Sequence, residues 1–173
     1  SNPHPCADSV NHFRCAHQVC SSNTNRNPRN CDPQGCGHYG APRGSRTHGG
    51  SDVQCSMNDV VYAPYDGTFI REARPYGDGS CCDTGWLFEV EEQWANESGQ
   101  MVNFQIMGFY SAPLHSNGTP LKKGEPLATH RGLHCGCYST SMTDHCHFQV
   151  IQNPSAGTGA TTDATSYVYC SLL

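Results

Sequence analysis

Asp144-His145-Cys146-His147-Phe148-Gln149-Val150-Ile151 reads as a β-strand. Side chains two apart on a strand share a face. His145 and His147 therefore project from one side, and Cys146 and Phe148 from the other. Working outward, the neighbouring segments have the same texture. Pro126-Leu127-Ala128-Thr129 is a short strand after a Lys-Lys-Gly-Glu turn. Trp86-Leu87-Phe88-Glu89-Val90 and Met101-Val102-Asn103-Phe104-Gln105-Ile106 are β-rich runs separated by a hairpin-like loop, Ala95 to Gln100. Val60-Val61-Tyr62 leads into a turn at Ala63-Pro64-Tyr65-Asp66-Gly67, and Thr68-Phe69-Ile70 restarts a strand. No segment sustains a 3.6-residue apolar period. Short strands punctuated by Gly, Pro and Asn predict an all-β fold, mainly antiparallel sheet or sandwich.

The flanks differ. Residues 1 to about 30 are rich in Asn, Ser, Pro and Cys, and read as an irregular arm held by Cys6, Cys15 and Cys20. Pro154 to Thr165 is small and polar and reads as a loop, with Cys170 pinning the end that follows.

Apolar residues make up 36% of the 173-residue chain, a lean core that needs other support. Twelve cysteines offer it. None stands in the CxxC spacing of four-ligand zinc clusters, so disulfides and an oxidising, extracellular compartment are the expectation. Two sequons, at Asn96 and Asn117, agree with secretion, although Pro120 follows the second. The chain starts at Ser1 with no apolar leader, as a mature secreted form would. No stretch approaches the roughly 20 apolar residues of a membrane span. Net charge is −5 and lysine occurs only at Lys122 and Lys123, which argues against nucleic acid or an anionic membrane as partner.

His48-Gly49-Gly50-Ser51-Asp52 is the second chemical element. The two glycines let the backbone curl so that His48 and Asp52 can converge. Alone, this spacing is weak among ten histidines. Joined to His147 it gives a His–Asp–His set, which with a fourth position open to water is a catalytic-type zinc arrangement. His145 would then sit beside the metal, placed for proton transfer. Bland readings suffice for the rest. His38 and Tyr39 pack a stapled loop, His130 and His134 belong to a solvated loop, and His4, His12 and His17 lie in the arm. Trp86 and Trp94 are core or sheet face.

HxxxD followed by HxH on a later strand resembles the metal signature of the lysostaphin-type zinc endopeptidases. Val61-Tyr-Ala-Pro-Tyr-Asp-Gly-Thr68 and Lys123-Gly-Glu-Pro-Leu-Ala128 resemble two of that family's turns. The chain is more similar still to an animal branch, the leukocyte cell-derived chemotaxin-2 proteins. The residues that carry this are Cys20, Cys31-Asp-Pro-Gln-Gly-Cys36-Gly-His-Tyr39 and His48-Gly-Gly-Ser-Asp-Val-Gln-Cys55. The resemblance covers residues 20–153, leaving 1–19 as an extension and 154–173 as a tail. It implies zinc held by His48, Asp52 and His147, and disulfides Cys20–Cys55 and Cys31–Cys36. The family's third disulfide has no counterpart, since Asn103 or Phe104 and Ile151 stand at its positions. Cys135 and Cys137 are available to brace the loop before the HxH strand.

The resemblance also bears on activity. Active bacterial members flank the metal with two histidines that are not ligands. One matches His145. The other falls at Tyr110, where a phenol is a poor base near neutral pH; His115 reaches that place only if the strand's register slips. The expectation is a secreted, zinc-binding, non-catalytic protein that recognises an extracellular receptor or a microbial cell-wall component. The alternative is a zinc endopeptidase acting on Gly-rich or peptidoglycan cross-bridge peptides. Either His48→Ala or Asp52→Ala should remove stoichiometric zinc without unfolding a disulfide-stapled chain.

Overall fold

A computed structural model describes residues 15–96, 98–138, 140–152 and 160–169. Cys6, His4, His12 and Cys170 lie outside these residues. The strands are β1 (Pro42–Arg43), β2 (Arg46–Thr47), β3 (Ser51–Gln54), β4 (Val60–Tyr62), β5 (Gly67–Glu72), β6 (Gly85–Val90) and β7 (Trp94–Ala95). They continue as β8 (Met101–Val102), β9 (Phe104–Phe109), β10 (Ser111–Pro113), β11 (Thr119–Leu121), β12 (Pro126–His130), β13 (His145–Gln152) and β14 (Ala160–Thr162). One helical turn, α1 (Thr165–Val168), closes the described residues. The fold is all-β, and every strand pairing is antiparallel.

A seven-stranded sheet runs β11-β5-β6-β9-β13-β14, with β3 also on β13. β13 is its organising strand. One side pairs with β9 from His147 to Gln152. The other side is shared: β3 takes His145 to Phe148, and β14 takes Val150 to Gln152. A smaller sheet, β10-β12-β4, contributes Val61, Leu127 and Ala128 to the cluster that also holds Phe88, Phe104, Ile106, Phe148 and Val150 of the large sheet. Burying an aliphatic or aromatic side chain of this size contributes about 1.5–3 kcal/mol. Gly108 is required where β9 passes β6. A Cβ there would lie 2.3 Å from the Trp86 ring, which covers that strand and meets Phe148 edge-on.

Cys20 bonds Cys55, and Cys31 bonds Cys36. Cys81 bonds Cys135, and Cys82 bonds Cys137, so the loop before β13 is tied to the loop before β6. Each bridge contributes about 2–4 kcal/mol, mainly by restricting the unfolded chain. Cys146 is a free thiol and is buried.

Two sequence readings need correction. The loop read through Thr165 contains β14 and the start of α1, and Tyr167, Val168 and Tyr169 are buried. His130 does not belong to a solvated loop. It is fully buried at the end of β12, with Nε2 2.9 Å from Asp144 Oδ1 and Nδ1 3.2 Å from Cys146 Sγ. Burial opposes its charge, but Cys146 and Asp144 outweigh burial and raise its pKa to about 10.

Candidate metal centre

β3 and β13 place Asp52 directly across from His147. His48 reaches the same point from the segment between β2 and β3, where its N–H donates to Ala41 O and its carbonyl accepts from Gly40 N. Three atoms converge. His48 Nε2 lies 2.9 Å from His147 Nδ1, and each lies 3.2 Å from Asp52 Oδ1. Two ligands of a tetrahedral zinc-sized ion, each about 2.0–2.1 Å from it, stand about 3.3 Å apart.

The protons reinforce that fit. His48 Nδ1 faces His38 O at 2.9 Å, and His147 Nε2 faces Gln149 Oε1 at 3.0 Å. Both partners only accept, so each ring carries its proton on that outer nitrogen. The inner nitrogens are left as lone pairs, facing each other and an ionised carboxylate. Three buried acceptors this close repel one another unless a cation lies between them.

The second Asp52 oxygen has different partners. Oδ2 accepts from Arg29 Nη1 at 3.0 Å and lies 3.3 Å from His145 Nε2. Arg29 is itself clamped by Asp32, through Nε and Nη2 at 2.9 Å each. His145 donates from Nδ1 to Thr143 O at 2.7 Å. Burial pushes its pKa down to about 4, leaving it neutral near pH 7. Tyr110 follows β9 with φ of 69° and sets its ring edge against His145, centroids 5.4 Å apart. Its hydroxyl lies 2.9 Å from that of Tyr76, and burial pushes the phenol up to about 12. A cavity of about 460 Å³ opens onto this group.

No protein-family model matches the chain. It is 36% identical over 111 residues to mouse leukocyte cell-derived chemotaxin-2, a match covering 64% of this chain and 66% of that protein. The chain is a chemotaxin-2-like protein on a lysostaphin-type fold. The fold is shared with the catalytic domain of lysostaphin from Staphylococcus simulans, at TM-score 0.53 and 18% identity, over 76% of this chain and 88% of that one. A zinc-containing peptidase from Vibrio cholerae gives TM-score 0.51 at 18% identity, over 86% of this chain and 40% of that one.

In this chemotaxin-2-like chain the alternation along β13 brings His145 and His147 to Asp52 while Cys146 and Phe148 enter the core. His115 does not join them; its Nε2 faces Pro126 O at 2.7 Å. Asn117 is exposed, and the Asn96 Oδ1 accepts from Ser98 N and Gln100 N within its own loop. The sequence reading missed Arg29, because nothing local marks a residue that pairs with Asp52 through a turn of the chain. It also missed the C-terminal segment, from which Tyr169 donates to Asp52 O at 2.7 Å.

Gly50 is needed for space rather than for an unusual torsion, since its φ is not positive. A Cβ there would lie 2.5 Å from Phe148 O and 2.7 Å from His147 Cε1. Gly50→Ala should therefore cost about 1–3 kcal/mol of stability. Gly49→Ala, whose nearest neighbour is Gln149 Oε1 at 3.4 Å, should change stability by about 0.5 kcal/mol or less. Urea unfolding of both variants checks the difference.

Proposed function

We propose that the chain is a secreted protein that holds zinc through His48, Asp52 and His147 and uses the adjoining cavity for recognition rather than hydrolysis. The reading of zinc is supported by three lone-pair donors spaced for a tetrahedral ion and by the zinc-containing peptidase with the same fold. Four disulfides among the described residues support an oxidising compartment. No helix of the described residues is long and apolar enough to cross a membrane. Asn117 and Asn96 are the glycosylation sites this reading names.

The observation that carries the non-catalytic reading is Tyr110. Zinc at such a site lowers the pKa of bound water, and hydrolysis then needs a neighbouring group to move protons at neutral pH. A phenol pushed up to about 12 is no base there. Its hydroxyl is also engaged by Tyr76. The partner is then an extracellular receptor or a microbial cell-wall component, with zinc fixing the shape of the site. One observation favours a peptidase instead: His145 stands beside Asp52, neutral and within reach of the same cavity. Incubation with pentaglycine and with peptidoglycan, with and without chelator, is decisive. Stoichiometric zinc without cleavage is expected; chelator-sensitive cleavage overturns the non-catalytic reading.

A further inference from the structure

The cavity beside the His–Asp–His group is walled by a pair of arginines that the metal reading does not use. Arg43 and Arg46 stand directly opposite each other on the β1–β2 ribbon. Opposite residues of an antiparallel pair present their side chains to the same face, and like charges placed so are destabilising. Neither arginine forms an ion pair among the described residues. Arg43 donates to two backbone carbonyls, Cys36 O at 2.6 Å and Pro42 O at 3.1 Å. Neutral acceptors orient that guanidinium without discharging it.

Both side chains line the cavity together with His48, Asp52 and His147. Asp52 is the carboxylate on that wall among the described residues, and buried Arg29 already pairs with it. The chain as a whole carries −5, so this wall is a local reversal of charge rather than part of a basic surface. We propose that the cavity takes a peptide carboxylate, gripped by Arg43 and Arg46. A guanidinium fork matches a planar carboxylate with two parallel hydrogen bonds. An anion between the two arginines also removes their mutual repulsion. Tyr76, Phe109 and Tyr138 supply flat faces nearby, and Gln34 and Gln149 supply amides suited to a peptide backbone. About 460 Å³ is within the range of small-ligand pockets and accommodates a few residues of chain.

This inference rests on the cavity being the recognition site proposed above, and it deepens that reading by naming the ligand class. The carboxylate can be a chain terminus or an acidic side chain, and three N-acetylated probes separate these. They are pentaglycine with a free C-terminal carboxylate, pentaglycine amide, and Gly-Gly-Glu-Gly-Gly amide. Binding is read by calorimetry on the intact protein, in zinc-loaded and chelated form, at two salt concentrations. Mass spectrometry of the same samples reports any cleavage, and zinc is measured separately, so failure of the metal or non-catalytic reading shows independently. At least one carboxylate probe should bind at least about tenfold more tightly than pentaglycine amide, and less tightly in high salt. Preference for the first or third probe identifies the source, and either supports the proposal. Arg43→Gln/Arg46→Gln should remove the preference, and Arg46→Gln alone should weaken it while melting no lower than the parent chain. Equal affinity for all three probes, or an unchanged preference in the double variant, overturns it.

Discussion

Replacing Asp52 with alanine is expected to abolish zinc binding and to lower stability by about 3 kcal/mol, whereas His48→Ala abolishes zinc at a cost of about 1 kcal/mol. Sequence alone treats these two ligand candidates as equivalent and expects both variants to stay folded. Arg29 separates them. Its guanidinium and the Asp52 carboxylate are both almost fully buried, 3.0 Å apart. Removing one member of a buried ion pair strands the other charge in a medium that solvates it poorly, typically at about 3–5 kcal/mol. The lower end applies here because Asp32 still grips Arg29 through two hydrogen bonds. His48 has no such dependant. Its loss forfeits a bond to His38 O and some packing, and in the metal-free chain it also removes one of three mutually repelling acceptors. Denaturant unfolding of both variants in chelator isolates the stability difference, and metal analysis without chelator reads the zinc. Equal stability losses would remove Arg29 from the account, and retained zinc in either variant would remove that residue from the ligand set.

The parts of the fold legible in sequence are those where local pattern and burial coincide. β5, β6, β9 and β13 are six to eight residues long and carry the large apolar side chains that fill the core. β1, β2 and β14 are two or three residues long, small or polar, and owe their pairing to what lies beside them, so no period reveals them. His130 is a similar case. Its burial is decided by Cys146 on the neighbouring sheet, and ring and thiol are sixteen positions apart in the chain. At the candidate metal centre, the two-residue period explains why His145 and His147 share a face. No local pattern brings that strand together with His48 and Asp52; in the sequence only the family resemblance does. Of the two glycines between His48 and Asp52, Gly50 makes room for the His147 ring rather than bending the chain, and Gly49 is under no such constraint. Arg29, Arg43 and Arg46 act through partners brought together only by folding, and no basic run announces them.

Under the proposed function, Tyr110→His is the substitution with the largest expected effect on activity. The position is held from both sides, because Tyr110 N donates to Thr84 O and its carbonyl accepts from Arg131 N. A new side chain therefore starts from the same place beside His145. The backbone there has φ of 69°, a region that histidine enters more readily than tyrosine. The fold should accept the change, losing mainly the phenol's bond to Tyr76. What changes is the chemistry available at neutral pH. A group pushed up to about 12 gives way to an imidazole with an ordinary pKa of about 6.5, able to take or give a proton next to water activated by zinc. Positioned acid–base catalysis contributes about 10²–10⁴-fold in rate, so chelator-sensitive hydrolysis of pentaglycine should rise by that order above the parent chain. Zinc content should stay the same, because none of the three converging atoms belongs to Tyr110. Tyr110→Phe supplies the control: it also loses the bond to Tyr76 but gains no base, and should remain inactive. A zinc-loaded, folded Tyr110→His that cleaves nothing would show that the block to catalysis lies elsewhere in the cavity, with the Arg43–Arg46 wall the next place to test.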